Sequence, residues 1–208
     1  MVDIAAAVRE ARGVRRVRFG ELPRIAGVLG SAFLEDPAVS WLVPDERRRG
    51  AIMERAFLLF LERVWFAQGE CYTTESAVGA AVWELPGRWQ LGAVQQVRLL
   101  PALVSVYRGL TPRVMRALAA MESNHPRDEH YYLPFVGVTP QWQGRGIGAA
   151  LLTPILERCD RDGIPAYLEA TTPRNRALYE RHGFAVTEEF RLGNASPPLW
   201  RMWRKPGG

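Results

Sequence analysis

The chain lacks most of the features that define specialised classes of small protein. Two cysteines occur in 208 residues, Cys71 and Cys159, far apart and without metal-ligand spacing. That excludes a disulfide framework, and a reducing compartment becomes the default. Lys205 is the only lysine, so almost all of the positive charge (Lys+Arg 27 against Asp+Glu 22, net +5) is arginine. No apolar run is long enough to span a bilayer; Ala56–Leu61, among the most apolar, is short and has charges nearby. The first residues lack the apolar stretch of a secretory signal. A cytoplasmic protein with no membrane partner is expected. No internal repeat or low-complexity tract appears. The basic balance suits an acidic ligand such as a nucleotide or phosphorylated cofactor. With no zinc spacing and no basic-aromatic repeat, nucleic acid is not an expected partner.

What is present reads as one mixed α/β unit. Val14–Phe19 reads as a first strand, and Glu21–Phe33 has helical apolar spacing through Leu22, Ile25, Val28, Leu29 and Phe33. Asp36-Pro37 is expected to break that helix. A second helix is predicted from about Pro44 to Ala67, then a strand pair over Gly69–Thr73 and Ala77–Leu85, closed by Pro86-Gly87. Two helices separated near Gly109–Thr111 are expected between Trp89 and Ser123, with Asn124–Glu129 as a polar loop. Then follow a strand (Tyr131–Val138), a glycine-rich loop, a helix (Gly146–Arg161), a strand (Ala166–Ala170), a short helix (Arg174–His182) and two strands near Phe184–Leu192 and Leu199–Trp203. Pro154 should kink its helix without breaking it.

The glycine-rich loop is the informative segment. A strand enters Val136-Gly137-Val138-Thr-Pro140, glycines follow at Gly144, Gly146 and Gly148, and a helix begins. Glycine lets backbone approach a ligand, and the amides at a helix start converge on one spot with the helix dipole behind them. Together they make a pyrophosphate site. Arg145 stands ready for a charge-assisted contact there. An unliganded glycine turn and a dinucleotide fingerprint, Gly144-x-Gly146-x-x-Ala149 with Glu169 ending the next strand, also fit the residues. Against the fingerprint, Thr139–Gln143 lengthen what should be a tight turn, and the remaining chain is too short for a doubly wound sheet. A P-loop is excluded, since no Gly-Lys-Ser/Thr follows.

Gln143-x-x-Gly146-x-Gly148 resembles the acetyl-CoA signature Q/R-x-x-G-x-G/A of the GNAT acetyltransferase superfamily. His130-Tyr-Tyr-Leu, Gly163-Ile-Pro-Ala-Tyr-Leu-Glu169, Pro173-Arg-Asn175, Tyr179-Glu-Arg-His-Gly-Phe184 and the Trp203-Arg-Lys-Pro tail are similar to bacterial members of the puromycin N-acetyltransferase type. The likeness is close over 130–206, thinner over 33–45 and weak over 86–129. It implies a single domain over 1–208. The sheet would have six to seven strands, mixed and mostly antiparallel, with one splayed parallel pair and helices on both faces. The segment 88–124 would shape the acceptor pocket. It implies acetyl-CoA as co-substrate, no metal, a small-molecule amine as acceptor and, as in other members, the option of a homodimer.

Carried onto this chain, the resemblance puts the backbone of Val136, Gly137 and Val138 against the pantetheine arm, and Gln143, Gly144, Arg145, Gly146, Ile147, Gly148 and Ala149 around the pyrophosphate. Asn175 falls near the pantetheine end, and Tyr179 faces the thioester sulfur. An amine attacks the thioester carbonyl and a thiolate leaves. A phenol, protonated at neutral pH yet weakly acidic, is a fitting proton donor to it. A strand amide such as that of Val138 would polarise the carbonyl. No covalent enzyme intermediate is needed, so neither cysteine need react. Glu169 is the first candidate for the base that deprotonates the amine; His130, Asp36 and Glu122 are weaker ones. Asp36, Trp83 and His130 are candidate acceptor contacts, and Trp89 a further wall. Acyl transfer to a protein amine and a non-catalytic acyl-CoA-binding module remain as alternatives.

Overall fold

The structure, a computed structural model, describes residues 3–207. The chain opens with α1 (Ile4–Arg12), capped by Asp3, whose carboxylate accepts from the Ala5 amide. Strand β1 is only Arg15–Arg16. The longer strand expected over 14–19 is cut short because the chain turns at Arg18 into a 3-10 segment, Phe19–Glu21. There the Glu21 carboxylate accepts from the Arg18 amide (2.9 Å) and the Arg15 guanidinium (2.7 Å). Helix α2 (Leu22–Ala32) buries Leu22, Ile25, Val28 and Leu29 as its spacing predicted. Asp36-Pro37 separates two helices, as expected, but it also starts one. Asp36 accepts from the amides of Ala38 (2.9 Å) and Val39 (3.1 Å), and Pro37 opens α3 (Pro37–Leu42). Helix α4 (Glu46–Phe60) passes into a π-helical turn, Leu61–Trp65, and a short α5 (Phe66–Gln68).

Strands β2 (Gly69–Thr73) and β3 (Gly79–Glu84) follow. Helices α6 (Ala93–Tyr107) and α7 (Thr111–Asn124) then come before β4 (Tyr131–Val138). Helix α8 (Ile147–Asp162) runs unbroken through Pro154 into β5 (Ala166–Ala170). The chain closes with α9 (Pro173–Glu180), β6 (Ala185–Arg191) and β7 (Pro198–Arg204). The seven strands form one sheet in the order β1-β2-β3-β4-β5-β7-β6. Every neighbouring pair is antiparallel except β4–β5. Among the described residues no helix is long and apolar enough to cross a membrane.

Two irregularities in β4 prepare the sheet to hold a ligand. Val82 pairs with Phe135 but Glu84 pairs with Tyr132, so Trp83 is opposed by two residues, Leu133 and Pro134. This is a β-bulge, and Pro134, which has no amide hydrogen to give a ladder, sits in it. The extra residue resets the alternation of side chains, so Tyr132 and Phe135 both face the layer of α2 and α4. The second irregularity is the end of the β4–β5 ladder at Leu133 and Leu168, although both strands continue. Beyond that point the parallel neighbours have parted.

The core lies on both faces. One cluster joins α2, α4 and the π turn to Val82 and Ala80; the other joins α8 to Ala81, Trp83, Leu133 and Tyr179. At Gly137 helix α2 lies close against the sheet: a β-carbon there would lie 2.7 Å from that of Ala32. Gly137→Ala forces two backbones apart, so a loss of about 1–3 kcal/mol in urea denaturation is expected; an unchanged midpoint would show that α2 is not held against β4.

Candidate active site

The glycine loop is built to leave helix α8 open at its start. Past Val138, the Thr139 amide donates to Val78 O (2.9 Å), and Gln143 Nε2 reaches back to Val138 O (3.0 Å). Gln143 Oε1 in turn accepts from Arg174 (3.4 Å), so this side chain braces the loop against α9. Gly144 and Gly146 have φ of 74° and 81°, which glycine adopts at little cost. Gly146 is the N-cap and has no side chain to occupy the helix end; a β-carbon there would meet nothing within 4 Å. The first helical bond runs from the Ala150 amide to Gly146 O (3.0 Å), which leaves the amides of Ile147, Gly148 and Ala149 without intrahelical partners. Ile147 is buried and anchors this turn, while Arg145 is half-buried beside it. Free amides, a positive helix end and open space are the features with which a helix start can receive an anion.

A cavity of about 500 Å³ begins at the parted strands, where Val136, Asn175 and Tyr179 line it. Tyr179 belongs to the core layer of α8 and Phe57 to the opposite layer, yet both line this one cavity. The gap between β4 and β5 is what permits that. Phe33, Phe57, Trp65 and Phe135 make an aromatic wall, with Phe57 and Phe135 packed edge to face at 5.0 Å. The far side comes from the 88–124 segment through Trp89, Leu99, Leu103, Tyr107 and Val114.

Few polar groups interrupt this lining, and most of them are titratable. Burial pushes the Glu84 carboxyl up to about 8, with the nearby Glu169 charge adding to it. Burial likewise raises Glu169 to about 7, although the Tyr132 phenol donates to its Oε2 at 2.9 Å and opposes the shift. Glu84 Oε2 and Glu169 Oε1 are buried with no hydrogen-bond partner. Two carboxyls in an apolar cavity, each with a free oxygen, are poised to receive a cationic amine or to take its proton. At the other end, burial raises Asp36 against the Thr171 hydroxyl and the α3 amides, and its second oxygen accepts from Thr171. Tyr179 is raised by burial and then by Asp36, so it stays protonated through the neutral range. Among the described residues its hydroxyl makes no hydrogen bond. Cys71 and Cys159 are buried, and burial lifts both thiols to about 12, which makes them inert.

Of the residues singled out in the sequence, Asp36, Glu169, Asn175, Tyr179, Trp89 and Glu122 all line the cavity. Trp83 does not. It alternates with Val82 and Glu84 along β3, so its fully buried indole packs in the α8 layer on the opposite face of the sheet. His130 is also off the wall: it is 1% exposed and sits behind His125, which does line the cavity. Glu84, Tyr132 and His125 were missed. Glu84 ends an otherwise apolar strand, which is a visible oddity, but only the strand register brings it to Tyr132 and hence to Glu169.

Comparison with known proteins agrees with this geometry. Residues 100–184 match the model of the Acetyltransferase (GNAT) family. An uncharacterized N-acetyltransferase of Schizosaccharomyces pombe is 25% identical over 92% of this chain and 83% of its own length. A crystal structure from Corynebacterium glutamicum, described as histone acetyltransferase HPA2 and related acetyltransferase, superposes with a TM-score of 0.71 at 26% identity, covering 94% of this chain and 96% of the other. Arylalkylamine N-acetyltransferase 2 from Aedes aegypti shares the fold at a TM-score of 0.64 and 13% identity, covering 92% of this chain and 97% of its own. The domain has the GNAT fold, with a seven-stranded sheet and one parallel pair. Its likeness is to acetyltransferases.

The raised carboxyls give a signed dependence of stability on pH. Each holds in the folded state a proton that the unfolded chain loses near 4.5. Stability is therefore greatest below about 4.5 on this account and declines as pH rises through about 7 and 8. Glu84→Gln cannot ionise, so it should resist unfolding better than the native protein at pH 8.5, by on the order of 4 kcal/mol, and match it at pH 4. Equal denaturation midpoints at pH 8.5 would show that Glu84 is not held protonated.

Proposed function

We propose that this protein transfers the acetyl group of acetyl-CoA to the primary amine of a small molecule with an apolar body, by direct attack in a ternary complex. The observation that carries the reading is the cavity, which joins the parted strands and Tyr179 to two partnerless carboxyl oxygens beneath an aromatic wall. The residues present fit acetyl-CoA. The open start of α8 offers amides from Gly144 to Ala149 and the Arg145 guanidinium to the pyrophosphate, with Gln143 holding the loop in place. Past Leu133, strand β4 keeps β3 on one side but has lost β5 on the other, and on this proposal backbone of Val136, Gly137 and Val138 pairs with the amides of the pantetheine arm. Asn175 and Tyr179 line the same cavity as Val136.

The chemistry supplied by the thioester is an activated acetyl carbonyl and a sulfur leaving group. Tyr179 gives the departing sulfur its proton, and Asp36 together with burial keeps that proton on the phenol beforehand. Glu169, with a carboxyl poised near neutrality, takes a proton from the amine. Glu84 holds the ammonium beside it. The segment 88–124 closes the acceptor side with apolar side chains, which favours an amine on an aliphatic or aromatic body. A cavity of about 500 Å³ walled by aromatics is a poor receptor for a protein surface, so a protein amine is the weaker second reading. The finer likeness to puromycin N-acetyltransferase-type members rests on motifs within 130–206, which build the coenzyme half, and says nothing of the acceptor.

Incubation with acetyl-CoA and a panel of primary amines that includes phenethylamine should release free coenzyme A thiol. Release with none of them, in protein shown to bind coenzyme A, defeats the reading. Tyr179→Phe should lower kcat by about 100-fold and leave the KM for acetyl-CoA nearly unchanged. Full activity in this variant removes the phenol from the mechanism.

A further inference from the structure

Helix α6 carries apolar residues on two faces, and only one of them is covered. Leu99, Leu103 and Tyr107, spaced four apart, are buried with Met53 and Phe57 of α4 in one core cluster. Val94, Val97, Leu100, Pro101 and Val104 follow one another at steps of three and four residues, so they line a second face, and each is exposed. Val97 is 70% exposed and Val94 64%. On α7, Met115 and Leu118 are exposed too. Among the described residues nine large apolar side chains are exposed, and six of them fall in this pair of helices. Scattered apolar residues are ordinary on a protein surface, but a continuous stripe marks a contact.

The charge of the same segment is equally uneven. Residues 88–121 hold Arg88, Arg98, Arg108, Arg113 and Arg116 and not one lysine, aspartate or glutamate, so the whole excess of +5 lies here and the rest of the chain is balanced. Arg113 is half-buried, 4.6 Å above the Trp41 ring. The other four are exposed, and among the described residues none of them has an ion-pair partner. Arg98 stands one turn on from Val94, on the same face, and Arg108 follows the helix end. The stripe is therefore apolar at its centre and cationic along its borders.

We propose that the outer face of α6 docks on an anionic lipid surface, with its valines in the headgroup boundary and its arginines on lipid phosphates. Such a contact needs no spanning segment. An exposed helix face lies in the plane of the surface, its aliphatic side chains enter a short way, and arginine stems reach out to the charge. The expectation of no membrane partner came from the length of apolar runs, which bears on crossing a bilayer and not on resting against one. A second copy of this chain is the other candidate cover. Pairing about a two-fold axis sets a patch against itself. Here that brings arginine to arginine, with no carboxylate in the segment to answer it. A lipid surface supplies phosphates to every one of them, and each arginine near it strengthens binding about fivefold. None of Val94, Val97, Arg98 and Val104 lines the cavity, so docking is separable from chemistry there.

Co-sedimentation of the full chain with vesicles tests this without any substrate. Vesicles of phosphatidylcholine containing phosphatidylglycerol should bind it at least about tenfold more tightly than vesicles of phosphatidylcholine alone, and about 0.5 M salt should remove most of that difference. Val97→Asp should weaken binding on the order of 50-fold, and Arg98→Gln about fivefold. Both side chains are exposed, so the melting midpoint of each variant should stay where it is. No sedimentation with either kind of vesicle leaves the face to a protein partner and overturns the proposal. Equal binding to the two kinds removes the arginines from it, and binding that Val97→Asp leaves unchanged removes the stripe; either result overturns it. A dimer in light scattering that Val97→Asp dissociates gives the face to a second copy and overturns it as well. Each of these failures leaves the acetyl-transfer reading standing.

Discussion

The functional architecture depends on the end of one ladder. Strands β4 and β5 are the only parallel neighbours in the sheet, and they pair through only three residues each, from Tyr131 to Leu133 against Ala166 to Leu168. Were they to continue together, the sheet would be a closed partition between its two helical layers. Because they part, side chains from opposite layers, Tyr179 on one side and Phe57 on the other, line a single cavity. The bulge at Leu133-Pro134 belongs to the same solution. It turns Phe135 into the cavity and supplies a residue with no hydrogen to offer a ladder that is ending. Open strand backbone and the free amides at the start of α8 then lie at the same end of the sheet, as an extended ligand with a charged terminus requires.

The second constraint is electrostatic. Glu84 and Glu169 are placed where apolar surroundings disfavour their charge, and each keeps an oxygen without a partner. Such groups weaken the fold, and a chain selected for stability alone would bury leucine there. Tyr132 joins the pair, donating to Glu169 while standing opposite Glu84 in the β3–β4 register. These costly groups gather in the cavity lining, whereas the glycine loop is braced by satisfied contacts.

The glycine loop and the helix starts around it were legible in the sequence because their physics is local. Glycines at 144 and 146, a helix start and Asn175 three residues past the Thr172 cap are all consequences of short-range backbone geometry. The lining of the cavity was legible only in part. Asp36 and Glu169 could be proposed from their positions near element ends, but Glu84 needs the register of three strands before it meets Glu169. Trp83 shows the same limit in reverse: one step along β3 decides between the cavity and the opposite core, and an aromatic residue fits either. The helix α3 was hidden because Asp-Pro reads equally as a stop or as a cap followed by a first helical residue.

The placement of α6 and α7 bears on how such a protein changes over evolutionary time. Both helices lie between β3 and β4, which are adjacent, antiparallel and bonded along most of their length. The segment that walls one side of the cavity is thus an elaborated hairpin connection, and the entropy of closing such a connection grows only with the logarithm of its length. Lineages can lengthen, shorten or repack residues 85–130 while the sheet register and the open start of α8 stay as they are. The lining of the cavity can therefore change by exchange of one continuous stretch of gene, without disturbing the strands and the glycine loop on which the fold rests.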